Sequence, residues 1–217
     1  MEEVLKVKEE FLKCRDTNPD IINDDEFNDG LLVIEIYEEE SEGTDFKKIC
    51  EIAKPILNRI TKLDTWNARD LEFMALAIGY TETVEQSRDL FEIALRELEK
   101  YEEYEEWNRD INSWCYNSFL LRLSRIDDHE REKYINIFVE TIDDTIKHFE
   151  EQDLQLAMSV ALLTKGVFFK DQKTIDMGLD KLKELGKYLA HEMMLEILKA
   201  RIEKGIRKYW GFPIIMG

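Results

Sequence analysis

Residues 154–170 read LQLAMSVALLTKGVFFK, residues 171–174 read DQKT, and residues 175–199 read IDMGLDKLKELGKYLAHEMMLEILK. Two apolar-periodic segments, each long enough for a helix, flank four polar residues. That is the sequence form of an antiparallel helix pair. Small residues sit where the two arms must approach: Ala161 and Gly166 in the first, Gly178 and Gly186 in the second. Taken as the building unit, this hairpin makes the chain a stack of helix pairs, a fold suited to binding more than to catalysis.

The unit recurs upstream. First arms centre on Leu71, Trp114 and Leu162, which are 43 and 48 residues apart. This interval exceeds the roughly 34 residues of a tetratricopeptide repeat (TPR), but the internal spacing is similar. Leu71, Met74, Ala75, Ile78, Ser87, Phe91 and Ala94 follow that repeat's alternation of large and small apolar positions. Leu162, Gly166, Phe169, Gly178, Leu182 and Leu185 follow it again, with Lys165 as a break; the middle pair keeps only Trp114, Ser118 and Leu121. Small residues let two arms close, and large ones fill the seam to the next pair. The expected fold is therefore all-α, a right-handed superhelical array of antiparallel, TPR-like helix pairs.

We expect a single domain over 1–217, with N-terminal helices in 1–64, repeat pairs in 65–208 and an apolar tail in 209–217. Val4 to Leu12 give a short amphipathic helix that ends before Asn18-Pro19. Asn23 and Glu26 resemble a capping box for a second helix through Tyr37. The run LLVIEIY is read as helix, because no partner strand is available. EEESEG (Glu38 to Gly43) reads as an exposed acidic loop, and Thr44 as the cap of a third helix that Pro55 should kink. Further along, Thr83 to Gln86 reads as a capping box. ELEKYEEYEEW then continues that helix, with Tyr101, Tyr104 and Trp107 along one edge. The middle pair spans Ile111 to Leu123 and Tyr134 to Phe149, and a final helix Met193 to Lys208.

The chain has 217 residues, is 44% hydrophobic and carries a formal charge of -18. It can bury a sizeable core. So acidic a surface repels phosphate, which argues against direct nucleic-acid binding. No apolar run is long enough for a membrane span, and the charged start MEEVLKVKEE lacks a signal peptide's apolar core. Cys14, Cys50 and Cys115, odd in number and widely spaced, read as buried thiols of a cytoplasmic protein.

Signals for chemistry are weak. His191-Glu192 opens like a zinc-protease helix but lacks the second histidine. Asp127-Asp128-His129 suits a helix-capping turn. His148 follows Asp143 and Asp144, but not at the spacing of di-iron bundles. There is no phosphate loop and no Gly-x-Ser-x-Gly. We expect neither an enzyme nor a metal or cofactor. In a stack of pairs the first arms line the concave face. That register brings Arg69, Glu72 and Leu76 there, then Asn112, Cys115, Phe119 and Arg122, then Val160, Leu163 and Val167. Apolar pockets beside an amide and a guanidinium suit an extended, short hydrophobic peptide.

Two segments carry a family likeness. Trp66-Asn67 with Asp70-Leu71-Glu72-Phe73 resembles the tryptophan-led helix start of Rgg/GadR/MutR-type regulators of Gram-positive bacteria. Residues 163–169, with Ile175, Gly178, Leu182, Leu185 and Gly186, are similar to that family's C-terminal repeat. The resemblance implies a TPR-like regulatory domain of a transcription factor that forms homodimers and binds short secreted signalling peptides. Those regulators carry a helix-turn-helix ahead of the repeats, and residues 1–65 show no basic recognition helix, so no DNA-binding domain is expected here. The alternative is a constitutive adaptor that uses the same face for a folded protein. The tail, Tyr209 to Gly217, is apolar and broken by Pro213. It is expected to cap the end of the stack or to enter a peptide groove.

Overall fold

A computed structural model describes residues 2–18, 20–21, 24–42, 45–126, 130–169 and 171–185. The expectations on Asn23, Thr44, Asp127 to His129, Gly186, His191, the Met193–Lys208 helix and the tail lie outside these residues. The described chain is all-α. Its nine helices are α1 (Glu2–Thr17), α2 (Asp25–Glu42), α3 (Phe46–Ile60), α4 (Ala68–Ala77), α5 (Val84–Leu98), α6 (Glu105–Ser124), α7 (Arg131–Glu151), α8 (Gln155–Phe169) and α9 (Gln172–Leu185). No described helix is long and apolar enough to cross a membrane.

Each helix packs on the next, so sequential pairs dominate. In addition α4 packs on α6, and α6 on α8. The α8–α9 hairpin closes as its small residues require. A Cβ at Gly178 would stand 2.8 Å from Cγ of Leu163 and 3.0 Å from the Ser159 carbonyl oxygen. One at Gly166 would stand 2.7 Å from the Ile175 backbone nitrogen. Neither arm could keep its place against a larger residue. The turn before this hairpin is a Schellman motif. Asp153 takes φ 54°, and the Asp153 and Leu154 N–H groups donate to the Glu150 and Phe149 carbonyls.

Helix starts follow local capping chemistry. Asp24 accepts from the Phe27 N–H at 2.8 Å at the start of α2. Asp45 accepts from the Lys47 N–H at 2.9 Å at the start of α3. Asn67 and Asp70 form a reciprocal capping box at α4, and Thr83 accepts from the Gln86 N–H at α5. Pro55 lies inside α3 on its exposed side. The carbonyl it leaves without a donor belongs to Glu51, an exposed residue, which makes a proline tolerable there.

Two expectations about the acidic runs are corrected. Glu38 to Glu42 is not a loop but the last turns of α2, with Glu40 buried. The helix expected to continue through ELEKYEEYEEW instead ends in a 3-10 turn, Glu99–Tyr101, and α6 restarts at Glu105. The aromatic residues fix that corner. Tyr101 Oη donates to the Trp66 carbonyl at 2.9 Å, Trp107 Nε1 donates to Glu72 at 3.0 Å, and the two rings meet edge-on. Asn108 Nδ2 then reaches back to the Leu98 carbonyl at 2.7 Å.

The core has two parts. The larger joins α3 to α8 through Ile56, Leu71, Met74, Phe91, Ile111, Cys115, Phe138 and Phe149. The smaller joins Ile36 of α2, Ile49 and Ala53 of α3, Leu76, Tyr80, Leu121, Leu163, and Ile175 and Leu182 of α9. Arg59 ties the N-terminal helices to the rest, donating to Asp29 of α2 and Asp70 of α4. Burial raises the pKa of Asp29 even against the opposing pull of that guanidinium.

Candidate functional site

The side-by-side contact of α4, α6 and α8 brings the three first arms together, but the residues expected on their open face meet different fates. Arg69 is exposed and pairs with Glu72 at 2.6 Å; Glu72 is also held by Trp107. Leu76 and Leu163 do come together, in the smaller core, and helices α2 and α3 contribute to the same cluster. Val160 is buried. Cys115 and Phe119 belong to the larger core, where Phe119 stacks on Phe91 with centroids 4.9 Å apart. Asn112 is half-buried, and its Oδ1 is covered without a hydrogen-bond partner. Val167 lies in α8, and its side chain is outside the described set.

Arg122 sits at the C-terminal end of α6 and is 7% exposed. Its Nε donates to the Thr81 carbonyl at 2.9 Å and its Nη2 to the Glu82 carbonyl at 2.8 Å. It thereby holds the α4–α5 connection against α6. Burial lowers its pKa, and the neighbouring Arg125 lowers it further. The Thr81 carbonyl also accepts from Cys50 Sγ at 3.5 Å.

One turn on, Arg125 forms the feature that sequence reasoning missed. Its guanidinium lies 4.6 Å above the Phe46 ring and 5.3 Å from that of Tyr80. Arg122 lies 5.4 Å from the same Phe46 ring. Arg125 pairs with Glu40 at 2.5 Å, the two side chains being 1% and 2% exposed. Reading Arg125 as part of a turn and Glu40 as part of a loop hid this pair. The available signal was spacing, since an arginine three residues after Arg122 shares its helix face.

Burial pushes the Cys50 thiol up to about 11 and the Cys115 thiol up to about 12, which favours the protonated form of both. Cys14, expected to be buried, is exposed. His148 stacks on Tyr116 at 5.2 Å, and burial lowers its pKa. Among the described residues no three His, Cys, Asp or Glu side chains are grouped to hold a metal ion.

No protein family, curated protein or solved structure matches this chain. No family is thereby identified. The residues behind the family likeness have local work of their own. Trp66 Nε1 donates to the Ile60 carbonyl at 3.0 Å, and Asn67 and Asp70 cap α4.

Proposed function

We propose that this chain is a ligand-sensing regulatory domain that binds a short hydrophobic peptide along the face shared by α4, α6 and α8. In this reading the helix pairs form a TPR-like superhelical array, and α2 and α3 lie over the apolar part of the face in the unliganded state. The observation that carries it is the smaller core. Leu76, Leu121 and Leu163, one from each first arm, share one buried cluster with Ile36 and Ile49 of the N-terminal helices. A peptide offering similar side chains would compete for the same surface, and binding would shift the balance between two packings of α2. The output would pass to a partner domain or a second copy, as in a transcriptional regulator. An adaptor that binds through a different face from the one first expected is favoured by a separate feature: Ile135 and Val139, one turn apart on α7, are each 37% exposed and offer an apolar stripe to a folded protein.

A thermal-shift screen of the chain against short apolar peptides tests the first reading. A peptide at about 100 times its dissociation constant adds about 2.7 kcal/mol. For a chain of this size that raises Tm by about 2–4 °C per kcal/mol. Asn112→Ala is the suitable control, because Arg122→Ala would also release the Thr81 and Glu82 carbonyls. A saturable rise that weakens in Asn112→Ala supports the reading. No shift with any peptide, beside a stoichiometric complex with a folded protein that Val139→Asp abolishes, gives the adaptor reading its place.

A further inference from the structure

The Glu40–Arg125 pair is incomplete for so buried a pair. The ions approach to 2.5 Å, yet the contact lacks hydrogen-bond alignment, and among the described residues no other group satisfies the polar atoms of either side chain. A guanidinium presents its N–H donors in a planar fork that matches a carboxylate two against two. Here Glu40 reaches the fork without that alignment. Removing two charges from water is costly unless their hydrogen bonds are completed, so the pair is a poor stabiliser for its burial.

The local charge is also unbalanced. Arg122 and Arg125 flank the Phe46 ring, but Arg122 donates to two neutral carbonyls, so among the described residues one buried carboxylate faces two buried cations. The other described acids nearby do not make up the difference. Glu82 is exposed and bound to Lys54, and Glu130 is exposed. In a chain of net charge -18, this is a positive centre that burial keeps apart from the acidic surface. Beside it Tyr80 joins Ile36, Leu76, Leu121 and Leu163 in the smaller core. A cationic fork at the end of an apolar lining suits a carboxylate carried on an apolar body.

We propose that Arg125 is a carboxylate-binding site in which Glu40 is a tethered internal occupant, and that a ligand carboxylate on an apolar body displaces Glu40 and frees the C-terminal end of α2. The proposal rests on the peptide-sensing reading and deepens it by naming the group recognised. α2 has a separate anchor at its other end, while Glu38 and Glu39 beside Glu40 pair with the partly exposed Lys8 and Lys48. Asp29 stays bound to Arg59, eleven residues and about 16 Å of helix away from Glu40. Because the internal carboxylate is tethered, it competes at high effective concentration, and removing it raises the apparent affinity of any outside carboxylate.

The test is calorimetric titration of the chain with four probes: N-acetyl-trileucine with a free C-terminus, its C-terminal amide, octanoate and octanol. The two acids should bind at least about tenfold more tightly than the amide and the alcohol. Glu40→Gln should tighten acid binding by about tenfold or more, and the double variant Glu40→Met with Arg125→Met should bind neither acid. Amide hydrogen exchange in residues 33–42 should accelerate when an acid binds. A tighter peptide acid assigns the site to a peptide C-terminus, and a tighter octanoate to a free aliphatic acid. Should Glu40→Gln not fold, the acid-over-amide preference of the unmodified chain and its loss in the double variant decide alone. Equal binding of acid and amide overturns the carboxylate site while leaving the peptide reading standing. Binding of no probe, by either the unmodified chain or the variants, overturns both.

Discussion

The two acidic runs of this protein, Glu38 to Glu42 and Glu99 to Glu106, look alike in sequence and do opposite things. The first is helical to its end and partly buried. The second interrupts the helix, and residues 102–106 are exposed. Their positions on helices explain the difference. Glu38 to Glu42 closes α2, where the carbonyl end of the helix repels carboxylates. Cations from two other helices and from just past a third offset this: Lys8 of α1 on Glu38 and Lys48 of α3 on Glu39, and Arg125, just past α6, on Glu40. Glu105 and Glu106 open α6, where free N–H groups favour negative charge with no partner needed. One run is held by tertiary ion pairs, the other by its place on its own helix.

The sharpest way to break this comparison is Glu40→Ala. Leaving Arg125 buried and unpaired should cost about 3–5 kcal/mol, read as a lower urea midpoint. Glu40→Leu with Arg125→Met, which removes both charges, should restore most of that loss. A cost below about 1 kcal/mol for Glu40→Ala would mean that the end of α2 gains nothing from the pair.

The same contrast shows what the chain's pattern reveals. The α8–α9 hairpin was legible because its apolar periods, polar break and small residues are all local; Gly166 and Gly178 sit where a side chain would collide. The middle pair was the least regular, and α6 shows why. It packs against α4, α5, α7 and α8, and from Ser118 to Leu123 every residue is buried. A helix surrounded on all sides has no solvent face to set a period. The adjacency of α4, α6 and α8 followed from the repeat register. What lies over their shared face did not, because Ile36 and Ile49 meet Leu76 and Leu163 across long stretches of chain that leave no periodic trace. Arg122 was found as a candidate through that register. Arg125 and Glu40 fell in segments read as turn and loop, where polarity alone suggested solvent.

A middle-sized effect is expected at the other two cations of the first run. Lys8→Gln and Lys48→Gln should each lower stability by up to about 1 kcal/mol, as partly exposed pairs do. In about 1 M salt, where charges are screened within roughly 3 Å, both losses should shrink; the Glu40→Ala loss should not, because its pair is shielded from ions. Equal salt sensitivity at all three would erase the distinction between buried and exposed partners.

The smallest effect tests the second run. Glu105→Gln with Glu106→Gln removes two charges from the first turn of α6, and each should cost about 0.3–1 kcal/mol at low salt. Glu102→Gln with Glu103→Gln removes as much charge from the neighbouring exposed turn, outside any helix, and should stay within about 0.5 kcal/mol of the unmodified chain. Thermal melts of the two variants side by side read the difference. If neutralising 102 and 103 cost as much as neutralising 105 and 106, helix position would not explain why this run needs no partners. If both pairs gained stability, simple repulsion within an acidic surface would outweigh the dipole.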